Sequence, residues 1–91
     1  PSFGAAIADA SRISAGQGAV VAFGAYIGKV RAGSAAERVG LVPGDIITEI
    51  NMQRVANADD LERALSRLNL GSRISLVFQR SNKTFTTEGT L

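Results

Sequence analysis

The sequence predicts a small α+β domain: five or six short strands in a partly open barrel or sandwich, capped by one long helix and one very short one. Three observations carry this prediction. Short alternating or β-branched runs recur between glycine, proline and asparagine punctuation. One stretch alone, ADDLERALSRL at 58–68, sustains helical periodicity. The chain of 91 residues, 45% hydrophobic and 20% charged, suffices for one core and has no room for a second.

The elements follow in order. GAAIAD at 4–9 is short, small-residued and mildly apolar, which suits a strand. From Ala10 to Gly24 the pattern is indistinct. Gly16, Gly18 and Gly24 argue against a long helix, and AVVAF at 19–23 fits either a strand or a buried loop. AYIGKV at 25–30 alternates Tyr26, Gly28 and Val30 with Ala25, Ile27 and Lys29, as a strand does. Next comes a turn at Gly33, then Ser34 as N-cap of a single helical turn through Ala35, Ala36 and Glu37. Glu37 completes a capping box and Gly40 stands at C′. Pro43-Gly44-Asp45 turns the chain into IITEI at 46–50, where Ile46, Thr48 and Ile50 alternate with Ile47 and Glu49. NMQRV then reverses tightly into a short edge segment. The helix at 58–68 has Asn57 as N-cap and Asp59 and Asp60 at its positive end. Leu61, Ala64, Leu65 and Leu68 form its apolar stripe. Gly71 ends that segment, and RISLVFQR (73–80) pairs with KTFTTEGTL (83–91) across Ser81-Asn82.

Composition removes several function classes. The chain has no cysteine and no histidine, so disulfides, thiolate or imidazole metal sites and a Ser-His-Asp triad are excluded. No cofactor or metal is expected. A net charge of +2, with scattered basic residues and few aromatics, argues against nucleic acid. No apolar run approaches the roughly 20 residues needed to span a bilayer. Arg12, Lys29, Arg31, Arg38, Arg63 and Arg67 read as solvated surface charges, and Asp45 as part of a turn rather than an acid catalyst. GQGAVVAFG lacks the Lys-Ser/Thr ending of a phosphate loop. A Ser-Lys dyad drawing on Ser2, Ser34, Ser72 or Ser75 is formally possible but has no supporting spacing. With Pro1 first and no targeting pattern, the chain reads as one domain, 1–91, excised from a longer protein.

With these elements placed, GAYIGKVRAGSAAERVGLVPGDIITEINMQRV resembles the signature of bacterial PDZ domains, above all those of HtrA (Do-like) serine proteases. Gly24 to Val30, Gly33 to Leu41, Pro43 to Ile47 and Asn51 fill the slots of that pattern, and the similarity continues to Leu91. It covers about 70 residues of the chain. One departure is Met52, where the family usually has glycine. A type I′ turn requires positive φ at both central residues, so a different turn or a longer loop is expected at 51–54.

The resemblance implies a non-catalytic module that binds the C-termini of unfolded or partner proteins. It also implies a partner protease domain in the parent chain, a bacterial periplasmic or cell-envelope location, and a monomeric isolated domain. By position, SFGA rather than YIG matches the family's loop for a peptide's terminal carboxylate. The expected loop is therefore Ser2, Phe3, Gly4 and Ala5, with residues before Pro1 often completing it. The physical basis is that glycine lets the backbone turn neighbouring N–H groups into one concavity. The strand continuing through Ala6 and Ile7 would accept an added peptide strand. The opposite groove wall would come from the helix, with Ala64 and Leu68 lining it, Leu61 or Leu65 at the pocket floor and Arg67 at the rim. On this reading substituting Gly4 costs binding, whereas substituting Gly28 costs folding. The rival reading is a structural or assembly PDZ domain whose groove walls are collapsed or filled by AVVAF.

Overall fold

The computed structural model describes residues 3–12 and 23–91. Within them the alternating runs become strands β1 (Ala5–Asp9), β2 (Ala25–Val30), β3 (Ile46–Ile50), β4 (Gln53–Arg54), β5 (Arg73–Arg80) and β6 (Lys83–Thr90). The helices are α1 (Ala35–Arg38) and α2 (Ala58–Ser66), and residues 10–12 are helical directly after β1. The strands form one open antiparallel sheet in the order β1-β2-β3-β5-β6, with β4 paired to β3 alone. The α+β prediction therefore holds, in the form of an open sheet with helices against it. Apart from 10–12, 23 and 24, the indistinct stretch 10–24 lies outside the described residues.

The core gathers Ile27, Ile47, Ile50, Val55, Leu61, Ile74 and Leu76, all essentially closed to solvent. Strict alternation cannot put Ile47 and Ile50 on one face, because they lie three residues apart. The β3–β5 register shifts between Ile47 and Glu49, and this bulge lets Ile46, Ile47, Thr48 and Ile50 all be buried. A second bulge interrupts the β1–β2 pairing between Ala6 and Ile7.

Turn chemistry corrects one expectation. Asn51 and Met52 have φ of 49° and 68°, and Ile50 pairs directly with Gln53, so the β3–β4 connection is a two-residue hairpin despite Met52. Ser81 and Asn82 repeat the arrangement at φ 54° and 63°, between paired Arg80 and Lys83. The Asn51 side chain helps by accepting the Ser75 N–H at 2.9 Å.

Both helices are capped where the sequence places the caps. Ser34 Oγ accepts the Glu37 N–H, and the Glu37 carboxylate reaches back to the Gly33 N–H, one residue before the cap. Asn57 Oδ1 accepts the Asp60 N–H at 3.0 Å. The helical segment α2 closes at Ser66, two residues short of the expected 68. There Arg67 and Leu68 bond back to Ala64 and Leu65 in a tighter final turn.

One ion pair ties distant segments together. Asp45 is fully buried and accepts from Arg80 at 2.8 and 2.7 Å and from the Val42 N–H at 2.9 Å. Arg80 also donates to the Gly40 carbonyl and lies over the stacked rings of Phe78 and Phe85. The hydrogen bonds it donates to Asp45 hold the guanidinium pKa above its ordinary value.

Candidate functional site

The chain enters β1 through Phe3 and Gly4. Phe3 is buried in the core and anchors the loop from below. Its carbonyl accepts the Ala36 N–H at 3.0 Å, and the Gly4 carbonyl accepts the Arg31 N–H at 2.8 Å. Both carbonyls are thus turned onto the scaffold. A trans peptide points its N–H opposite to its C=O, so the Gly4 and Ala5 N–H groups are directed away from α1 and β2. The bond from Arg31 to Gly4 also makes Ala5–Val30 a non-hydrogen-bonded pair, which turns the Ala5 N–H and C=O outward from the sheet.

Gly4 has φ of 87°, and a Cβ there would collide with Ser34 Cβ and lie 2.7 Å from its Oγ. Glycine is required twice over, by backbone conformation and by space. Gly28, which YIG offered as the rival loop, sits in β2 without positive φ. A Cβ on it would come no closer than 3.7 Å to any atom. The expectation that substituting Gly28 costs folding is corrected: the tightly enclosed glycine is Gly4.

Between β1 and α2 stands a cavity of ≈ 230 Å³. Phe3, Gly4, Ala5 and Ile7 form one wall, and Glu62, Leu65 and Ser66 form the other. Two contacts hold the ends of the β1 wall. At one end Ser34, N-cap of α1, abuts Gly4. At the far end Asp9 Oδ1 accepts the Ala58 N–H at 2.9 Å, joining the end of β1 to the first turn of α2. The helix therefore runs antiparallel to β1, with Leu65 and Ser66 near the loop.

The predicted site residues divide accordingly. Phe3, Gly4, Ala5, Ile7 and Leu65 meet at this cavity, and Ser2 lies outside the described residues. Ala6 is exposed and lines a shallow depression with Lys29, Val30 and Arg31 instead. Leu61 is completely buried beneath α2 and reaches no groove. Ala64 and Leu68, expected to line the groove, border a different hollow with Ile50, Gln53 and Arg67 beside the β3–β4 hairpin. Arg67 accordingly is not at the groove rim.

The helix presents the flank of its apolar stripe opposite to the expected one. On the other flank Asp60 Oδ2 accepts the Ala56 N–H at 2.8 Å, a bond local to the helix start. This bond, then the Arg63 guanidinium at 2.8 Å, lowers the Asp60 pKa. The wall residues not foreseen are Glu62 and Ser66, and the supports not foreseen are Asp9 and Ser34. Periodicity makes Glu62 and Ser66 polar flank positions and does not say which flank faces β1.

A model of the PDZ domain family matches residues 26–80, and the chain belongs to that family. Among curated relatives, "Probable periplasmic serine protease do/HhoA-like" of Haemophilus influenzae is 35% identical over 77 residues, 85% of this chain and 15% of the relative. "Probable periplasmic serine endoprotease DegP-like" of Rhizobium meliloti is 35% identical over 63 residues, 69% of this chain and 12% of the relative. The chain thus spans less than a sixth of the length of either relative.

Among solved structures, the PDZ domain of HtrA3 bound to a phage-derived ligand, FGRWV, matches with a TM-score of 0.80. The identity is 20%, over 98% of this chain and 83% of that one. The HtrA-type protease AlgW with a decapeptide matches with a TM-score of 0.83 at 23% identity, over 99% and 29% of the two chains. These establish the fold. A PDZ domain is a non-catalytic module, and that is what this chain forms. No helix among the described residues is long and apolar enough to cross a membrane.

Proposed function

We propose that the chain captures the C-terminal residues of substrate or partner proteins in the groove between β1 and α2. The observation that carries this reading is the loop Phe3-Gly4-Ala5. Its Phe3 and Gly4 carbonyls are held by Ala36 and Arg31, and the loop borders a cavity of ≈ 230 Å³ beside the terminal strand of the described sheet. A peptide would add as an antiparallel strand along β1, its carboxylate accepting from the loop amides and its last side chain entering between Ala5 and Leu65. The small Ala5 leaves room for Val, Leu or Phe at that position. Affinity is expected near micromolar, about −8 kcal/mol, because one strand and one pocket must offset the ordering of the peptide.

The chain is further proposed to be one PDZ domain of a longer HtrA-like serine protease of the bacterial periplasm or cell envelope. There it would tether substrate to the protease domain or relieve autoinhibition once peptide binds. The relatives' descriptions as periplasmic proteases support that placement. The assembly reading calls for collapsed or filled walls, which the open cavity does not favour. Of AVVAF, residues 19–22 lie outside the described residues, and Phe23 lies 4.1 Å beneath the Arg54 guanidinium on β4.

The test is a titration of peptides ending in a free carboxylate against the same peptides amidated. Amidation is expected to weaken binding at least tenfold. Equal binding by both forms would remove the carboxylate-loop reading.

A further inference from the structure

The groove wall supplied by α2 is not uniformly apolar. Glu62 lines the cavity one turn before Ser66, and Asp59 precedes Glu62 by three residues on the same flank of the helix. Both carboxylates are exposed, and among the described residues neither makes a hydrogen bond or ion pair. The Ser66 hydroxyl, by contrast, is occupied by the Arg63 carbonyl at 2.8 Å. Glu62 is therefore the polar side chain of this wall without a protein partner among the described residues.

Register decides which ligand residue it meets. The Asp9–Ala58 bond fixes α2 antiparallel to β1, so a peptide added antiparallel to β1 runs parallel to α2. The ligand's last residue then lies at the Ala5, Leu65 and Ser66 end. Going back from Ser66 to Glu62 is four helical residues, about 6 Å of rise. Going back two residues along the added strand covers about 6.8 Å and returns to the same face of that strand. The side chain two residues before the terminus is thus the one that comes opposite Glu62 and Ile7.

We propose that Glu62, reinforced by Asp59, makes this groove prefer peptides with lysine or arginine two residues before an apolar C-terminal residue. This rests on the C-terminal capture reading and adds to it a charge requirement. The flanking charges agree with such a ligand. Lys29 and Arg31 lie behind the carboxylate loop, whereas the upstream end of the groove carries Asp9, Asp59 and Glu62. A peptide that is anionic at its terminus and cationic upstream matches this polarity.

The experiment measures dissociation constants for three seven-residue peptides ending in valine. They are identical except for Lys, Ala or Glu two residues before the end, and each is also made as the C-terminal amide. On the unaltered chain at low salt, affinity should fall from Lys to Ala to Glu by about two- to fivefold per step, the range expected of an exposed charge pair. The spread should shrink in half-molar salt. Glu62→Gln should flatten the series and Glu62→Lys should reverse it, circular dichroism confirming that each variant is folded. A charge-independent series that still needs the free carboxylate would overturn the role of Glu62 and leave C-terminal capture standing. An unchanged ranking in Glu62→Lys would overturn it as well. Indifference to amidation, or no binding by any of the peptides, would overturn C-terminal capture itself and the inference with it.

Discussion

At the scale of single residues, Gly4 and Gly28 separate the two loops that looked alike in sequence. Gly4→Ala introduces a Cβ into Ser34 at a φ of 87°. It is expected to cost about 1–3 kcal/mol of stability, through overpacking and an unfavourable backbone conformation, and to abolish peptide binding. Gly28→Ala meets only ordinary contacts and is expected to stay within about 0.5 kcal/mol of the parent. Denaturant midpoints and a peptide titration on both variants check this, and comparable losses in the two would contradict the placement of Gly4 against Ser34. Sequence spacing points to SFGA rather than YIG as the candidate loop. It could not show that Ser34, thirty residues on, is what makes the glycine indispensable. For the same reason the tolerance of Gly28 was not visible. The letters YIG imply a buried strand, but they do not say that residue 28 is exposed and has room for a methyl group.

Among the elements, α2 was the most legible and also the most misjudged. Its caps, polarity and apolar stripe were all evident from composition and period. Its rotation about its own axis was not, because an apolar stripe identifies the core face and leaves two flanks equivalent. On the flank turned away from β1, Asp60 accepts the Ala56 N–H, a contact local to the helix start. Asp60 accordingly predicts a pH dependence. Its folded pKa lies below the ordinary value near 3.8, first through the Ala56 N–H and then through Arg63. A depressed carboxylate contributes stability that is fully present above its unfolded pKa and is lost as pH falls through the lower folded value. Asp60→Asn should therefore flatten the acid side of the stability curve below about pH 4, with little change in slope at neutral pH. Urea denaturation at pH 3, 4 and 7 measures it, and identical slopes for parent and variant would exclude Asp60 as the source.

Over the whole molecule, the element order could be read from the sequence because each strand, cap and turn is specified locally. Contacts between segments far apart in sequence could not. Asp45 reads as a turn residue and Arg80 as a strand-end charge, yet their two-point pair joins the α1–β3 connection to the β5–β6 hairpin. Arg80→Ala strands a fully buried carboxylate. Breaking such a pair costs about 3–5 kcal/mol in a closed interior, and the partial exposure of Arg80 reduces the expected loss to roughly 2–3. Arg80→Lys should recover only part of it, since lysine cannot reach both Asp45 oxygens and Gly40 in one plane. Thermal or denaturant unfolding of the two variants supplies the comparison. The bulge between Ala6 and Ile7 has its own consequence at this scale. Among the described residues β1 has a strand neighbour on one side only, and an open strand edge invites two copies to zip together. Five residues broken by a bulge offer another rigid edge no flat run to match, whereas a flexible tail can follow the kink. In the proposed capture, the irregularity of β1 would thereby favour soft guests and discourage self-association.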